Sequence, residues 1–282
     1  MVLLVTGAAG MLGQAVCATA RSLGHGVVGL ARTELDITDP DAVERALARH
    51  QPDAVVNCAA YTAVDRAEEE PQAALAVNGT GAGNVARAAA EAGARMVQVS
   101  TDYVFDGTKR EPWIESDATN PLSAYGLSKL RGEEQVADAT SQHTIVRTAW
   151  LFGAGGPNFV ATMLRLAAER DEVSVVTDQV GCPTWTGHLA GALVELAERR
   201  EFGIHHVAGA GACSWYELAV EAFDQAGVAC RVVPTTSEAF ARPAPRPANS
   251  VLGTERPDPI ALPPWQDGVR GFLGERREAR AA

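Results

Sequence analysis

Residues 1–13 read Met1-Val2-Leu3-Leu4-Val5-Thr6-Gly7-Ala8-Ala9-Gly10-Met11-Leu12-Gly13, and this pattern decides the fold. The apolar, β-branched run at residues 2–6 predicts a buried strand, and the alanine-containing residues 11–23 predict a helix. Between them, glycines in the spacing GxxGxxG let the backbone turn tightly and approach a pyrophosphate at the helix N-terminus. This spacing differs from the usual GxGxxG, so by itself it is a weak signal. The predicted dinucleotide contacts are Gly7, Gly10, Met11, Leu12 and Gly13.

The alternation of strand and helix continues to about residue 150. Apolar runs predict strands at residues 27–30, 54–57, 96–100 and 144–148. Helices are predicted at residues 40–50, 71–92 and 123–137. Strands and helices that alternate in this way form right-handed βαβ units around a parallel sheet. We therefore predict an α/β fold, a Rossmann-like doubly wound parallel sheet with a smaller α/β substrate lobe.

Shorter elements are predicted in the second half of the chain. They are strands at residues 173–176 and 204–207 and helices at residues 159–168, 187–199 and 216–226. The proline-rich run at residues 242–247 predicts an extended loop, and the charged tail from Gly274 is expected to fray. We predict an NAD(P)-binding domain of residues 1–150 with about 184–227. The substrate lobe is then formed by residues 151–183 with about 228–282.

Composition narrows the classes of partner. The 282 residues carry a net charge of −11, which disfavours nucleic acid and an anionic membrane as partners. No apolar run reaches the roughly 18 residues that cross a bilayer, and the first residues do not have the pattern of a signal peptide. The five cysteines are scattered and lack metal-ligand spacing. We expect a cytoplasmic protein with reduced thiols and no bound metal.

The segment after the second predicted strand is expected to contact the cofactor ribose. An acid there accepts a hydrogen bond from the 2′-hydroxyl of NADH, whereas an arginine accommodates the 2′-phosphate of NADPH. Arg32 stands nearer the strand end than Glu34, which favours NADPH and leaves NADH open. Asp36 and Ile37 are expected to flank the adenine.

Tyr125 and Lys129 are four residues apart, so they are predicted to share one face of a helix. A ketone that accepts a hydride needs a proton, which a tyrosine hydroxyl supplies. A neighbouring ammonium lowers the tyrosine pKa from its usual value of about 10. Only two of the 24 lysines and arginines are lysine, so a lysine at this spacing is informative. Thr101, at the end of the fourth predicted strand, completes the predicted catalytic group, because ligands lie at the carboxyl ends of parallel strands.

Together these motifs resemble the extended short-chain dehydrogenase/reductase family, and within it the dTDP-4-dehydrorhamnose reductases. The resemblance runs almost from end to end. Its more specific segments are Ser-Thr-Asp-Tyr-Val-Phe-Asp at residues 100–106 and Gly-Cys-Pro-Thr at residues 181–184. Its other segments are residues 7–13, 57–65, 125–129 and 147–150 and the Arg-Pro run near residue 246.

The resemblance implies reduction of the 4-keto group of dTDP-4-dehydro-β-L-rhamnose to dTDP-β-L-rhamnose. Tyr125 is then the proton donor, in contact with both cofactor and substrate, and Lys129 holds the nicotinamide ribose. Trp150 is expected to pack on the substrate with its flat indole, and Arg242 and Arg246 are candidates for the substrate diphosphate. The further residues carried over are Gly10, Met11, Leu12, Ala60, Tyr61 and Thr62 toward the cofactor, and Thr101 and Asp102 toward the sugar.

Several alternatives stay open. Dehydratases of this fold have a pattern that resembles Thr-Asp-Glu, whereas here Tyr103 follows Asp102, so the additional acid is missing. Epimerases usually have an acid at the end of the second strand, where this chain has Arg32. A non-catalytic cofactor-binding regulatory subunit has no need of the complete catalytic group. A reductase of another nucleotide-linked 4-keto-deoxysugar would use the same residues. Some members of the family build a metal site at a dimer contact with an acidic residue where this chain has Gln14-Ala15, so a metal-bridged dimer is not expected, and a homodimer stays open.

Overall fold

The computed structural model describes residues 1–281, and parallel strands form its central layer. The strands of this part of the chain are β1 (Val2–Thr6), β2 (Gly26–Leu30), β3 (Ala54–Asn57), β4 (Arg95–Thr101), β5 (His143–Thr148), β6 (Leu151–Phe152), β7 (Glu172–Val176), β8 (Val180–Gly181), β9 (Thr184–Trp185), β10 (Gly203–His206), β11 (Cys213–Ser214) and β12 (Arg231–Thr235).

Some helices have clear local start signals, such as those that begin after Asp39 and Ser123, whose side chains accept hydrogen bonds from the first helical turn. The helices of the described residues are α1 (Met11–Ser22), α2 (Pro40–His50), α3 (Val64–Glu69), α4 (Pro71–Leu75), α5 (Ala82–Glu91), α6 (Ala124–Ala139), α7 (Phe159–Ala167), α8 (Thr186–Glu198), α9 (Trp215–Ala226) and α10 (Trp265–Ala281). A π-helical turn, Ala76–Gly81, separates α4 from α5, and a 3₁₀ turn, Asp102–Val104, follows β4.

The central sheet has the order β10-β5-β4-β3-β1-β2, and every neighbouring pair is parallel. One face packs on α1 and α8 and the other on α2, α5 and α6, through two separate apolar clusters. The predicted doubly wound α/β fold is therefore confirmed. Because β1 lies between β2 and β3, the connections after β1 and β3 leave in opposite directions, and a ligand crevice opens at such a switch point.

The helix predicted at residues 71–92 is confirmed over residues 71–91, but it contains a π-helical turn that the sequence pattern did not predict. α4 ends at Leu75 and a π-helical turn precedes α5. Gly79 and Gly81 fall in this turn, and glycine weakens helical structure. The side chain of Asn78 is buried here and bonds the backbone of Tyr61, which lies in the connection after β3. Such π turns recur at functional sites.

The charged tail from Gly274, expected to fray, is part of α10 as far as Ala281. The helix is held by Trp265, Val269 and Phe272, which are buried at helical spacing in one apolar cluster. The short helix α3 and the strand β12 were not predicted. Within residues 1–281, no helix combines the length and the apolar character needed to cross a membrane.

A second, smaller layer lies outside the central sheet. β7 and β12 pair in parallel, and α7 and α9 pack on them. α9, which the domain prediction assigned to the first unit, buries Leu218, Ala219 and Phe223 on this side of the molecule. β10 and α8 belong to the central sheet and its covering layer. The division of the chain into two domains stays a prediction.

Candidate active site

The glycine-rich turn after β1 packs so tightly that two of its glycines, Gly7 and Gly13, have no room for a side chain. Gly7 has a φ of +64°, and a Cβ on it would lie 2.6 Å from the backbone nitrogen of Ala59. A Cβ on Gly13 would lie 2.3 Å from the carbonyl oxygen of Gly7. α1 begins directly after this turn, with no side-chain cap and no acid in its first turn. Its first N–H groups and the positive end of its dipole are therefore suited to an anion.

A cleft of about 380 Å³ opens between this turn and the connection after β3. Five of the predicted cofactor residues do not line the cleft: Met11, Leu12, Gly13, Tyr125 and Lys129. Leu12 is buried in the core. The predicted residues that line the cleft are Gly7, Gly10, Arg32, Asp36, Ile37, Ala60, Tyr61 and Thr62. Six further residues line the cleft but were not predicted as cofactor contacts: Ala9, Leu35, Cys58, Ala59, Ala63 and Val77.

For two of these six residues, Cys58 and Ala59, the sequence contained a signal. Cys58 and Ala59 directly follow the last residue of β3, and the carboxyl end of a strand is where ligands bind in this fold. Val77 lies in the π-helical turn, which the sequence pattern did not predict. Its position in the cleft depends on that local irregularity.

After β2, the two candidate ribose contacts, Arg32 and Glu34, differ in whether they face the cleft. Glu34 turns back, and its carboxylate accepts a hydrogen bond from the backbone N–H of Ala31 at 2.8 Å. Arg32 is exposed and lines the cleft. The carboxylate of Asp36 accepts hydrogen bonds from the backbone N–H and the hydroxyl of Thr38, which lower its pKa. The glycine turn, the uncapped helix and the exposed guanidinium fit a dinucleotide with a 2′-phosphate.

Asn78 ties the cofactor cleft to helix α6. Its side-chain oxygen accepts the N–H of Tyr61 at 2.8 Å, and its amide donates to the Tyr61 carbonyl at 3.0 Å. The same amide donates to the hydroxyl of Ser128 at 2.9 Å. Gly132 lets the helices approach, because a Cβ there would lie 2.1 Å from the Asn78 carbonyl oxygen. A buried side chain thus positions the Tyr61 connection relative to the helix that carries Tyr125 and Lys129.

Thr101, Tyr125 and Lys129 come together beside the carboxyl ends of the central strands. Tyr125 lies in the first turn of α6, which begins at Ala124, and Lys129 follows one turn later. α6 approaches the segment after β4 so closely that a Cβ on Gly126 would lie 2.3 Å from the Tyr103 carbonyl oxygen. The Lys129 ammonium donates to the Val99 carbonyl at 2.6 Å. The sequence spacing had predicted the shared helical face, and the tertiary structure adds the strand end.

The pKa of Tyr125 is raised to about 12 by burial, against a lowering hydrogen bond with Thr101, while the charge of Asp102 adds to the rise. This net direction is opposite to the lowering expected from the Lys129 ammonium, because burial dominates. Burial also lowers the pKa of Lys129 to about 8, against the opposing charge of Glu133. At neutral pH the tyrosine is therefore protonated and able to donate.

Asp102 is 2% exposed, and one of its carboxylate oxygens, Oδ2, is buried without a clear hydrogen-bond partner among the described residues. The other oxygen accepts from the Thr101 hydroxyl at 3.0 Å. Burial raises the pKa of Asp102 to about 6, although hydrogen bonds from Ser250 and Thr101 oppose the rise. A buried acceptor without a clear partner is costly, and Asp102 lines neither the cofactor cleft nor a second cavity near Tyr103.

A second cavity, of about 760 Å³, lies next to Tyr103, which follows Asp102 in the sequence. Tyr103 lines it and contacts the Tyr125 ring edge-on, with ring centroids 5.8 Å apart. Trp215 and Phe159 form an aromatic wall, and Arg170, Arg242 and Arg246 supply positive charge. A cavity with flat apolar walls and guanidinium groups suits a nucleoside diphosphate.

Trp150, predicted to pack on the substrate, does not line this cavity. Its indole stacks face to face on Trp215, with centroids 3.5 Å apart and 4° between the planes, and Trp215 lines the cavity. Trp150 has a φ of +48°, a strained conformation for a bulky residue. Trp215 was missed because it begins a helix far along the sequence, and its position beside Trp150 arises only from folding.

Arg246, predicted to bind the diphosphate, lines the cavity, but its guanidinium is engaged by Asp65. Among residues 1–281, no group of three or more His, Cys, Asp or Glu side chains is arranged to hold a metal ion.

Comparisons with known proteins agree with this geometry. The family model described as the RmlD substrate binding domain matches residues 1–277. A dTDP-4-dehydrorhamnose reductase of Streptomyces griseus is 49% identical over 268 residues, covering 93% of this chain and 88% of that protein. A dTDP-4-keto-6-deoxy-D-glucose reductase of Streptomyces niveus is 46% identical over 252 residues, covering 89% and 88%. The crystal structure of a Bacillus anthracis dTDP-4-dehydrorhamnose reductase in complex with NADP has a TM-score of 0.95 at 37% identity, covering 97% of this chain and 99% of that one.

Proposed function

This chain belongs to the family described as the RmlD substrate binding domain, and on that basis we propose that it reduces dTDP-4-dehydro-β-L-rhamnose to dTDP-β-L-rhamnose with NADPH. The observation that carries the proposal is the position of the Tyr125–Lys129 pair. Asn78 joins Tyr61, a residue of the cofactor cleft, to Ser128, the neighbour of Lys129 on α6. Tyr125 contacts Tyr103, a residue of the second cavity. The pair therefore stands where a cofactor and a sugar would meet.

In this proposal, backbone N–H groups of Gly10 to Leu12 hold the cofactor pyrophosphate, and Arg32 takes the 2′-phosphate. When bound, NADPH supplies the hydride for the substrate carbonyl carbon. Lys129 has three N–H donors and gives one to Val99, which leaves two for ribose hydroxyls. Gly7 and Gly13 act indirectly, by letting the turn and α1 pack closely.

We assign the proton to Tyr125. Its raised pKa keeps the hydroxyl protonated at neutral pH, and this hydroxyl donates to the carbonyl oxygen that becomes an alkoxide. Thr101 donates its own proton to Asp102, so its oxygen is an acceptor that orients Tyr125. The Asp102 oxygen that lacks a clear partner is proposed to accept from a sugar hydroxyl.

A second candidate differs only in the sugar. The two relatives named above are reductases of different dTDP-linked keto-sugars at similar identity, 49% and 46%. The proton donor and the cofactor cleft serve either reaction, so the identity of the product distinguishes the two candidate functions. The configuration at C4 follows from the same product analysis.

The experiment follows NADPH oxidation with dTDP-4-dehydro-L-rhamnose generated in place from dTDP-glucose by the two preceding enzymes. NADH is run in parallel, and the product is identified by chromatography against dTDP-rhamnose. Oxidation that yields dTDP-rhamnose supports the proposal. Oxidation only with another dTDP-4-keto-sugar supports the second candidate. Binding of NADPH without turnover on any such sugar would favour a non-catalytic regulatory subunit.

The homodimer and the cytoplasmic location belong to the same proposal. Light scattering on the purified protein tests the dimer, and fractionation of the producing cells tests the location.

A further inference from the structure

The loop after β12 runs along the second cavity and is tied at both ends to carboxylates. We call residues 236–246 the strap; its residues Phe240, Arg242 and Arg246 line the cavity. At the first end, Asp178 accepts the backbone N–H of Ser237 at 2.8 and 3.0 Å and its hydroxyl at 2.8 Å. At the second end, Asp65 accepts the backbone N–H of Ala244 at 3.2 Å.

Asp65 also binds Arg246 in a two-point ion pair. Both guanidinium–carboxylate distances, Nη1 to Oδ1 and Nη2 to Oδ2, are 3.0 Å. Nη1 donates further to the Ala244 carbonyl at 2.7 Å. The Arg246 side chain is 18% exposed and that of Asp65 31%. This geometry occupies the fork that a diphosphate would otherwise use.

The pair joins the two clefts. Asp65 stands in the first turn of α3, two residues after Ala63, which lines the cofactor cleft. Arg246 lies 181 residues later and lines the second cavity. The segment that contacts the cofactor and the strap that contacts the second cavity are therefore held together by one ion pair.

Arg242 is placed differently from Arg246. Its side chain is 54% exposed, its guanidinium lies 3.8 Å from Asp65, and it stacks over the Phe240 ring at 5.1 Å. It lines the cavity without the two-point pairing that occupies Arg246. Its N–H donors are thus open to an anionic ligand.

We propose that Asp65 is a positioning residue for the nucleotide sugar: it holds Arg246 and the strap in place, so that Arg242 meets the diphosphate. The inference rests on the proposed function for the identity of the ligand. It reassigns Arg246 from direct diphosphate contact to support of the strap.

The test measures binding of dTDP by calorimetry and of NADPH by fluorescence, for wild type, Asp65→Asn, Arg246→Gln and the double variant. We expect each single variant to weaken dTDP binding about tenfold, the scale of one lost charged hydrogen bond. The double variant should be no weaker than the singles, because both remove the same pair. NADPH binding should stay within about twofold, which also shows that the variants are folded. Arg246→Lys keeps the charge without the fork and should still weaken dTDP binding.

Glu69→Gln is the matched control, since Glu69 is an exposed acid on the same helix. Activity with the keto-sugar should show a raised KM and a largely retained kcat for Asp65→Asn. Unchanged dTDP binding in Asp65→Asn would overturn the proposal. Tighter binding would also overturn it, because Asp65 would then compete with the diphosphate for Arg246. If wild type fails to reduce the keto-sugar while Asp65→Asn still weakens dTDP binding, the proposed reaction fails and the positioning role stands.

Discussion

Glu133 and Arg147 form a two-point ion pair in the interior, with Nε to Oε1 at 3.0 Å and Nη2 to Oε2 at 2.7 Å. Both side chains are at most 5% exposed, and Ser100 also donates to Glu133. The pair joins α6 to β5, one helical turn beyond Lys129. Glu133→Gln leaves a buried guanidinium without its charge partner, so we expect a loss of about 3–5 kcal/mol in the free energy of unfolding, measured with urea.

Glu134→Gln is a control at the adjacent position. Glu134 pairs with Arg131 at 2.6 Å, but both side chains are about half exposed. Water screens such a pair, so we expect a change below about 1 kcal/mol. Equal effects at the two positions would contradict the interpretation of the buried pair.

Tyr125→Phe should lower kcat at least about a hundredfold, because the positioned proton donor is lost. NADPH binding should be retained, since Tyr125 does not line the cofactor cleft. Stopped-flow NADPH oxidation measures the first quantity and fluorescence titration the second. Tyr216→Phe, a change on α9, serves as the control; near-normal turnover in Tyr125→Phe would refute the assignment.

Arg32→Ala tests the preference for NADPH. Arg32 lines the cofactor cleft, whereas Glu34 is engaged with the backbone of Ala31. We expect the Kd for NADPH to rise about tenfold or more through loss of a phosphate contact, with little change for NADH. Arg45→Ala, an exposed change on α2, should affect neither. A parallel loss for both cofactors would show that Arg32 does not read the 2′-phosphate.

Trp215→Ala should raise the KM for the nucleotide sugar about tenfold, because it removes an aromatic wall of the second cavity. Trp215→Phe keeps a flat ring and should lose less. The hydrogen bond from Trp215 Nε1 to Gln179 at 3.1 Å is absent in both variants, so the comparison isolates the ring. If both variants have the wild-type KM, the substrate does not contact this wall.

Asp102→Asn tests the pH dependence that burial produces. The pKa of Asp102 is raised from 3.8 to about 6, so between these values the folded state binds more protons than the unfolded state. The contribution of Asp102 to the free energy of unfolding should therefore fall as pH rises through this window, by up to about 3 kcal/mol. Asp102→Asn should remove that fall, measured as urea unfolding at pH 4 and pH 7. Asp138→Asn, an exposed change, should keep the wild-type dependence.

The sequence predicted much of the cofactor side of the site and less of the substrate side. Gly7, Gly10 and Arg32 belong to single strand–turn segments, so their relation to the cleft follows from local order. Trp215 and Val77 were missed, because one depends on packing between distant elements and the other on a π-helical turn. Trp150, expected to pack on the substrate, lies behind the ring that lines the cavity, which is its stacking partner Trp215.

The amino-acid order is sufficient for the strand–turn–helix start, the common face of Tyr125 and Lys129, and the proline-rich loop at residues 242–247. Each depends on periodicity, glycine or proline within a few residues. Folding alone sets the pairing of Asp65 with Arg246, 181 residues apart, and the direction of the Tyr125 pKa. Long-range contacts and the removal of water are properties of the packed chain, and no local pattern encodes them.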